Sequence, residues 1–197
     1  MAKIVGISGK RGSGKTLLGG ILGYHGFKRV SLAGALKDDA MRLFNIGNEH
    51  VNGDLKEVPL EKLGGHTPRK MLIDFGLFCR RYSSDGAFFI NRLFNTKIAQ
   101  MREDDFVVID DIRFINEAKF VKQHDGKLIR LERAPELNIY KSDMNDPSET
   151  ELDDYDFDLV LSKEKNKTPA DLEKFAYVIK DLFPKRNVNT TRTMFGH

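Results

Sequence analysis

Gly9-Lys10-Arg11-Gly12-Ser13-Gly14-Lys15-Thr16 satisfies the spacing GxxxxGK[ST] in full. Residues of these types at this spacing cradle phosphate. The glycines let backbone N–H groups turn inward around phosphate oxygens, and a helix start supplies its positive dipole end. Lys15 is expected to reach the β- and γ-phosphates of a nucleoside triphosphate, and the Thr16 hydroxyl to ligate Mg²⁺. A second group able to do chemistry is Asp110-Asp111, which directly follows the apolar run Phe106-Val107-Val108-Ile109. A carboxylate ending a buried strand beside a phosphate loop holds Mg²⁺ directly or through water. At least one of the pair is expected to serve metal or substrate, and both are catalytic candidates. Asp110 is the candidate metal ligand alongside Thr16, although the sequence does not say which of the two serves Mg²⁺. A helix cap is the competing use of this pair, because Asp111 stands just before a helical stretch.

Cations form a third group. Arg69 and Arg113 are each expected in the first turn of a helix, where the dipole disfavours positive charge unless an anion is bound there. Two such arginines on segments converging on one face suggest a clamp for a second phosphate. Arg80, Arg81, Arg92, Arg130 and Arg133 are further candidates, some of them merely solvated or paired with acids. The five histidines lack metal-ligand spacing, so no zinc site is expected. Phe88-Phe89 suits a helix core better than a base-stacking platform, and Cys79 suits a small buried hydrophobe.

The elements that must position these groups are legible from periodicity. Lys3–Ser8 is a short β-branched apolar run, as expected of a buried parallel strand, and apolar residues at helical spacing follow the glycine loop. Residues 27–32 read as a second strand and 33–44 as a helix with Leu36, Ala40, Leu43 and Phe44 on one face. Residues 45–66, rich in Gly, Asn and charge, read as a mobile connection. Thr67-Pro68 is a helix start with Thr as N-cap and Pro at the first helical position; Met71, Leu72, Phe75 and Phe78 form its stripe. A further helix, which Asp85 is placed to cap, carries Ile90, Leu93, Phe94, Ile98 and Met101. Strands follow at 106–109, 127–131 and 157–161, with a helix from Arg113 to about Gln123. Residues 133–156 are polar and acidic, long enough for a lid. A last helix opens at Thr168-Pro169, with Asp171 placed for a capping box, and stops at Pro184. Strands alternating with helices predict a parallel sheet covered on both faces, an α/β fold with ligands beyond the carboxyl ends of its strands.

The 197 residues make one domain, with a polar tail after about residue 184. A net charge of +3 is too small to argue for nucleic-acid binding, although it suits polyanionic small molecules. Cys79 is the single cysteine, which excludes an internal disulfide and points to a reducing compartment such as the cytoplasm. Met1-Ala2-Lys3 runs straight into the first strand with nothing like a signal peptide, and no apolar run approaches membrane-spanning length.

In order along the chain, the glycine loop is followed by Ser31-Leu32-Ala33-Gly34-Ala35-Leu36-Lys37 and Thr67-Pro68-Arg69-Lys70-Met71-Leu72. Gly76-Leu77-Phe78-Cys79-Arg80, Asp111-Ile112-Arg113-Phe114 with Glu117, and Asp146-Pro147-Ser148-Glu149 complete the series. Together these resemble the deoxynucleoside monophosphate kinases of bacteriophages, from Lys3 to about Phe183. The resemblance implies a P-loop kinase fold, a three-layer α/β/α sandwich with a short parallel sheet. It implies an ATP site at the loop and an acceptor region over about 33–104, with a lid-like segment at about 133–152. It implies that Lys37, Arg69 and Arg113 help hold an acceptor nucleotide, that Arg133 and the residues after it close over the phosphates, and that Ser148 and Glu149 lie near the active site. ATP and Mg²⁺ are the implied cofactors and a deoxynucleoside monophosphate (dNMP) the implied substrate, in the host cytoplasm if the source is a phage. No nucleic-acid or membrane partner is implied, and a homodimer is left open. Thr16 stands where many relatives carry an acidic residue, which puts more weight on Asp110-Asp111. The pattern also resembles animal-type phosphomevalonate kinase, the second reading. A P-loop ATPase or nucleotide-binding regulator is the third, against which stand the weak basic charge and the lack of a second domain.

Overall fold

The computed structural model describes residues 1–133, 147–163 and 169–183. Five parallel strands form its sheet: β1 (Lys3–Ser8), β2 (Phe27–Val30), β3 (Phe106–Ile109), β4 (Lys127–Arg133) and β5 (Leu159–Lys163). They lie in the order β2-β3-β1-β4-β5, so β1 is the central strand. Lys3 to Gly6 pair with Phe106 to Ile109 on one side, and Val5 to Ser8 pair with Lys127 to Arg130 on the other. A central parallel strand is covered on both faces and therefore reads as an unbroken apolar run. Ile4, Val5 and Ile7 are accordingly fully buried.

Period-two alternation divides the strand residues between two cores. Ile4, Val107, Ile109 and Leu128 face one side, with Ile90 and Leu93 of α5 (Phe88–Thr96) and Ala118 and Val121 of α6 (Ile115–Gln123). Val5, Ile7, Val108, Ile129 and Leu131 face the other, with Leu18 and Leu22 of α1 (Lys15–Tyr24) and Ala176 and Ile179 of α8 (Pro169–Asp181). Helices on both faces make the three-layer α/β/α sandwich of the P-loop kinase fold. A third, smaller core joins α2 (Leu32–Phe44), α3 (Asn48–Val51) and α4 (Pro68–Arg81) through Ala40, Ile46, Val51, Met71 and Leu72.

That third core draws in the inner part of the 45–66 connection, where the sequence reading predicts no elements. Ile46 and Val51 are buried, short helical turns run over Asp54–Glu57 and Glu61–Leu63, and Leu60 bridges His66. Two apolar anchors in a polar stretch lack periodicity, so the sequence pattern missed them. Other boundaries moved for local reasons. β2 ends at Val30 because Ser31 caps α2, its hydroxyl accepting from Gly34 N at 3.1 Å. Thr67 caps α4 in the same way, accepting from Lys70 N at 3.2 Å, with Pro68 at the first position. α5 stops at Thr96, leaving Ile98 in a separate 3₁₀ turn (Ile98–Gln100). Leu43 and Phe78, expected on buried stripes, are 68% and 59% exposed. No helix among the described residues is long and apolar enough to cross a membrane. Most of the expected lid (134–146), the Thr168 cap with the side chain of Asp171, and the tail from residue 184 lie outside the described residues.

Candidate active site

The phosphate loop leaves the carboxyl end of the central strand. Gly9, Gly12 and Gly14 have φ values of 153°, 76° and 98°, a backbone region that side chains disfavour. A Cβ on Gly9 would also stand 2.4 Å from the Leu131 carbonyl oxygen, so the loop can pass β4 there only as glycine. Gly14 caps α1 with no side-chain hydrogen bond, and the first turn carries no acid. The helix start therefore offers its N–H groups and dipole to an anion. Inside the loop, Ser13 Oγ is buried without a hydrogen-bond partner among the described residues. Lys15 lies 8% exposed, with Nζ donating to the carbonyls of Gly9 and, at 2.9 Å, Lys10. Burial, and next the Arg113 charge, lower its pKa to about 8. An open cavity of about 1010 Å³ spreads over Arg11, Gly12, Lys15, Thr16 and Tyr24, and Arg113 forms part of its wall.

The two aspartates ending β3 have separate surroundings. Asp110 is 4% exposed and accepts from Arg29 Nε at 2.7 Å and Nη2 at 2.6 Å. Its carboxyl packs against α1 at Gly19, where a Cβ would come within 2.7 Å of Oδ2, one helical turn beyond Thr16. Burial pushes the Asp110 pKa up, against the pull of Arg29. Asp111 turns the other way and serves the start of α2. It accepts from Ser31 Oγ at 2.8 Å, Leu32 N at 2.9 Å and Ala33 N at 2.8 Å. The helix it caps is α2, not the one that follows it in sequence.

A second cavity, of about 380 Å³, lies between α2, α4 and the segment after β3. Lys37, Arg69, Arg80 and Arg113 all line it, so four of the cations singled out from sequence meet there. Lys56 joins them from the 45–66 segment. Burial, then the neighbouring charges of Lys37 and Arg69, push its pKa below the usual lysine value. Sequence reading missed Lys56 because nothing in a polar loop marks which lysine turns inward. Leu36, Leu72, Ile73, Leu77 and Phe114 add apolar walls, and Asp111, Glu117 and Ser148 line the cavity as well. Arg113 is common to both cavities, the one such residue among the described residues.

The cations are held by partners. Lys37 Nζ donates to Asn52 Oδ1 at 2.6 Å, and Arg69 pairs with Glu57. Arg80 donates to Glu117 Oε1 at 2.6 Å and lies 3.8 Å over the Phe114 ring. Glu117, 2% exposed, also accepts from Arg113 N at 2.8 Å and Phe114 N at 3.2 Å. These bonds fix the backbone on which Arg113 stands, although burial raises the Glu117 pKa. Arg113 precedes α6, which starts at Ile115, so it is not a first-turn residue as expected. Arg92 is a second correction: it grips Asp39 of α2 from α5, lining neither cavity. Glu149, in the short helix α7 (Pro147–Thr150), is bonded to Arg11 N and Arg113 and touches both the loop and the shared arginine. The Arg133 side chain lies outside the described residues. Arg29, which holds Asp110, carries no sequence signal.

No protein-family model matches the sequence. A protein of Acanthamoeba polyphaga mimivirus, provisionally named a deoxynucleotide monophosphate kinase, is 34% identical over 175 residues, 82% of this chain and 89% of that protein. Among solved structures, TT1252 from Thermus thermophilus is similar in fold, with a TM-score of 0.54 and 16% identity over 93% of this chain and 99% of that one. Dephospho-CoA kinase from Campylobacter jejuni aligns over 92% and 97% of the two chains at a TM-score of 0.47 and 16% identity. A complete phosphate loop on the central strand of a P-loop kinase fold, and a relative this similar over most of both chains, lead to one assignment: the chain belongs to the deoxynucleotide monophosphate kinase family and is a phosphotransferase.

Proposed function

We propose that the protein transfers the γ-phosphoryl group of ATP to the 5′-phosphate of a deoxynucleoside monophosphate, giving the diphosphate and ADP. The observation that carries this reading is Arg113, whose residue lines both the phosphate-loop cavity and the cation-lined cavity beside it. Lys37, Lys56 and Arg69 share the second cavity, a concentration of charge suited to an acceptor that is itself a dianion. Ile73 and Leu77, 55% and 59% exposed, present apolar surface to the uncharged part of such an acceptor.

An acceptor phosphate oxygen is already a nucleophile, so the reaction needs positioning and charge neutralisation rather than a strong base. In this reading Lys15 and the start of α1 hold the β- and γ-phosphates. Arg69, Lys37 and Lys56 hold the acceptor phosphate, and Arg113 neutralises the charge that develops between them. Oxygen donors suit Mg²⁺. The Thr16 hydroxyl has no hydrogen-bond partner among the described residues, and Asp110 packs on the same helix one turn further on. Thr16 and Asp110 would hold the ion, which when bound neutralises the phosphates.

A coupled assay across the four dNMPs, the ribonucleotides and phosphomevalonate tests the substrate class. Turnover of at least one dNMP is expected, and turnover of phosphomevalonate alone would replace the reading. Arg69→Ala should raise the acceptor KM about tenfold or more, because each charge-assisted bond is worth roughly 1.5–3 kcal/mol. Affinity for ATP should stay unchanged in that variant, whereas Arg113→Ala should also lower kcat. Arg→Lys should restore part of each loss, since a point charge cannot replace a planar fork. Normal acceptor KM and kcat in both alanine variants would rule out the clamp.

A further inference from the structure

Two carboxylates that follow Pro147 fasten onto the phosphate loop in the same manner. Glu149 accepts from the Arg11 backbone N–H at 2.5 Å and from Arg113 Nη1 at 2.6 Å, with its side chain 8% exposed. Asp153, four residues on, accepts from Lys10 Nζ at 2.8 Å and from Arg130 Nη2 at 2.5 Å. Each acid joins one group of the loop to one arginine standing by the sheet. The two clasps differ in what the arginine does. Arg130 is a buried strand residue that also donates to Ser8 Oγ at 3.2 Å, and it lines neither cavity. Arg113 lines both.

The resemblance drawn from sequence puts Glu149 near substrate without a role. An ionised carboxylate only accepts hydrogen bonds and repels phosphate oxygens, so it cannot bind a nucleotide phosphate itself. Both of its oxygens already accept from the protein. The groups it holds, the Arg11 amide and the Arg113 guanidinium, therefore give it a route by which to serve transfer. An arginine side chain has many rotamers, and a guanidinium useful at a transfer point has to be held in one of them before substrates arrive. Glu117 fixes the Arg113 backbone, and Glu149 fixes its far end.

We propose that Glu149 is a positioning residue for phosphoryl transfer, setting the Arg113 guanidinium and the Arg11 amide in register through the two oxygens of one carboxylate. The inference rests on the reaction proposed above. It also implies that loop and acceptor cation move together, because a shift of the loop amide pulls on the same carboxylate that holds Arg113.

A double-mutant cycle decides it, with Glu149→Gln, Arg113→Ala and the pair. Gln preserves the shape and removes the charge. With Arg113 present, Glu149→Gln should lower kcat/KM for the dNMP about tenfold or more, mostly in kcat; in the Arg113→Ala background the further loss should stay below about threefold. Glu149→Asp, which keeps the charge at shorter reach, should recover part of the activity. Asp153 fastens the same segment but does not hold Arg113, so the effect of Asp153→Asn should multiply with that of Arg113→Ala. Melting temperatures of all variants separate positioning from failure to fold; should Glu149→Gln unfold, the cycle runs with Glu149→Asp. Equal losses with and without Arg113 would overturn the inference, leaving Glu149 a structural clasp. If the wild type turns over no dNMP, the proposed reaction is what fails. The cycle is then read by calorimetry on the Kd of a non-hydrolysable ATP analogue, where non-additivity upholds the positioning role and additivity overturns it.

Discussion

Lys15 shows how one residue answers to several demands. It is buried against the carbonyls of its own loop, with Arg113 and Arg130 acting to lower its pKa and Glu149 and Asp111 to raise it. The result is a lysine that loses its proton as pH rises through about 8. A phosphate arriving beside Nζ favours the charged form and pushes that value back up. Binding of an ATP analogue near pH 8 should therefore take up a fraction of a proton, measurable by calorimetry in buffers of different ionisation enthalpy. Its Kd should rise as pH increases from 7 to 9.5. Arg113→Ala removes a charge that lowers the Lys15 pKa, so the rise should begin at higher pH. A Kd independent of pH across this range would mean either that Lys15 keeps its proton throughout, its pKa not lowered, or that it does not meet the phosphates.

At the scale of elements, the start of α2 is built by β3. Ser31 caps it locally, while Asp111 reaches across from the neighbouring strand to take Leu32 N and Ala33 N, two of the donors that a helix start leaves unpaired. An anion there also suits the helix dipole. Asp110 makes the opposite turn, towards α1 and Arg29. The two adjacent acids are thus expected to differ in kind. Asp111→Asn should cost about 1–2 kcal/mol of stability, the usual worth of a cap or a dipole-paired charge, with kcat within about threefold of normal. Asp110→Asn should instead lower kcat and weaken the dependence on Mg²⁺. Chemical denaturation and Mg²⁺ titrations of both variants check this, and a stable but inactive Asp111→Asn protein would reverse the roles.

Across the molecule, strand order does the assembling. With β1 central, the chain leaves it for β2 at one edge, returns to β3 beside it and then crosses to β4 on its other side, and the crevice opens at the carboxyl end where the winding reverses. The phosphate loop, Asp110 and Asp111 stand at that edge, and α2 and α4 bring Lys37, Arg69 and Arg80 towards it. The 45–66 segment contributes Lys56 to the lining of the cation-lined cavity, from the 3₁₀ turn Asp54–Glu57, a part of the segment with no buried residue. Elements with few apolar anchors open at low cost, and a kinase gains by closing around its substrates. Hydrogen exchange with an ATP analogue and a dNMP together should show slower exchange over residues 53–58 than with the analogue alone. Amides around Val51, already buried, should change less. Unchanged exchange at 53–58 would mean that Lys56 does not move onto the acceptor.

The sequence by itself determined the parts whose cause is local. A glycine loop between an apolar strand and a helix, the Thr-Pro cap, and the 3.6- and 2-residue periods specify α1, α4, the body of α2 and the strands, because backbone sterics and hydrogen bonding act over a few residues. Arg69 and Arg113 could be paired because both are expected at helix starts converging on one face of an α/β sheet, whereas Arg80 is one of several further arginines and Lys37 comes only with the family resemblance. Tertiary structure alone decided the rest. Arg92 carries the same charge as Arg113, and only the packing of α5 on α2 turns it to Asp39. Lys56 lies in a stretch without periodicity and is brought inward by Ile46 and Val51 of the third core. Asp110 and Asp111 are neighbours in sequence, yet alternation at a strand end sends one to α1 and the other to α2. Glu149 meets Arg113 across 36 residues. Such pairings depend on which strand lies beside which, a property of the whole sheet that no local pattern encodes.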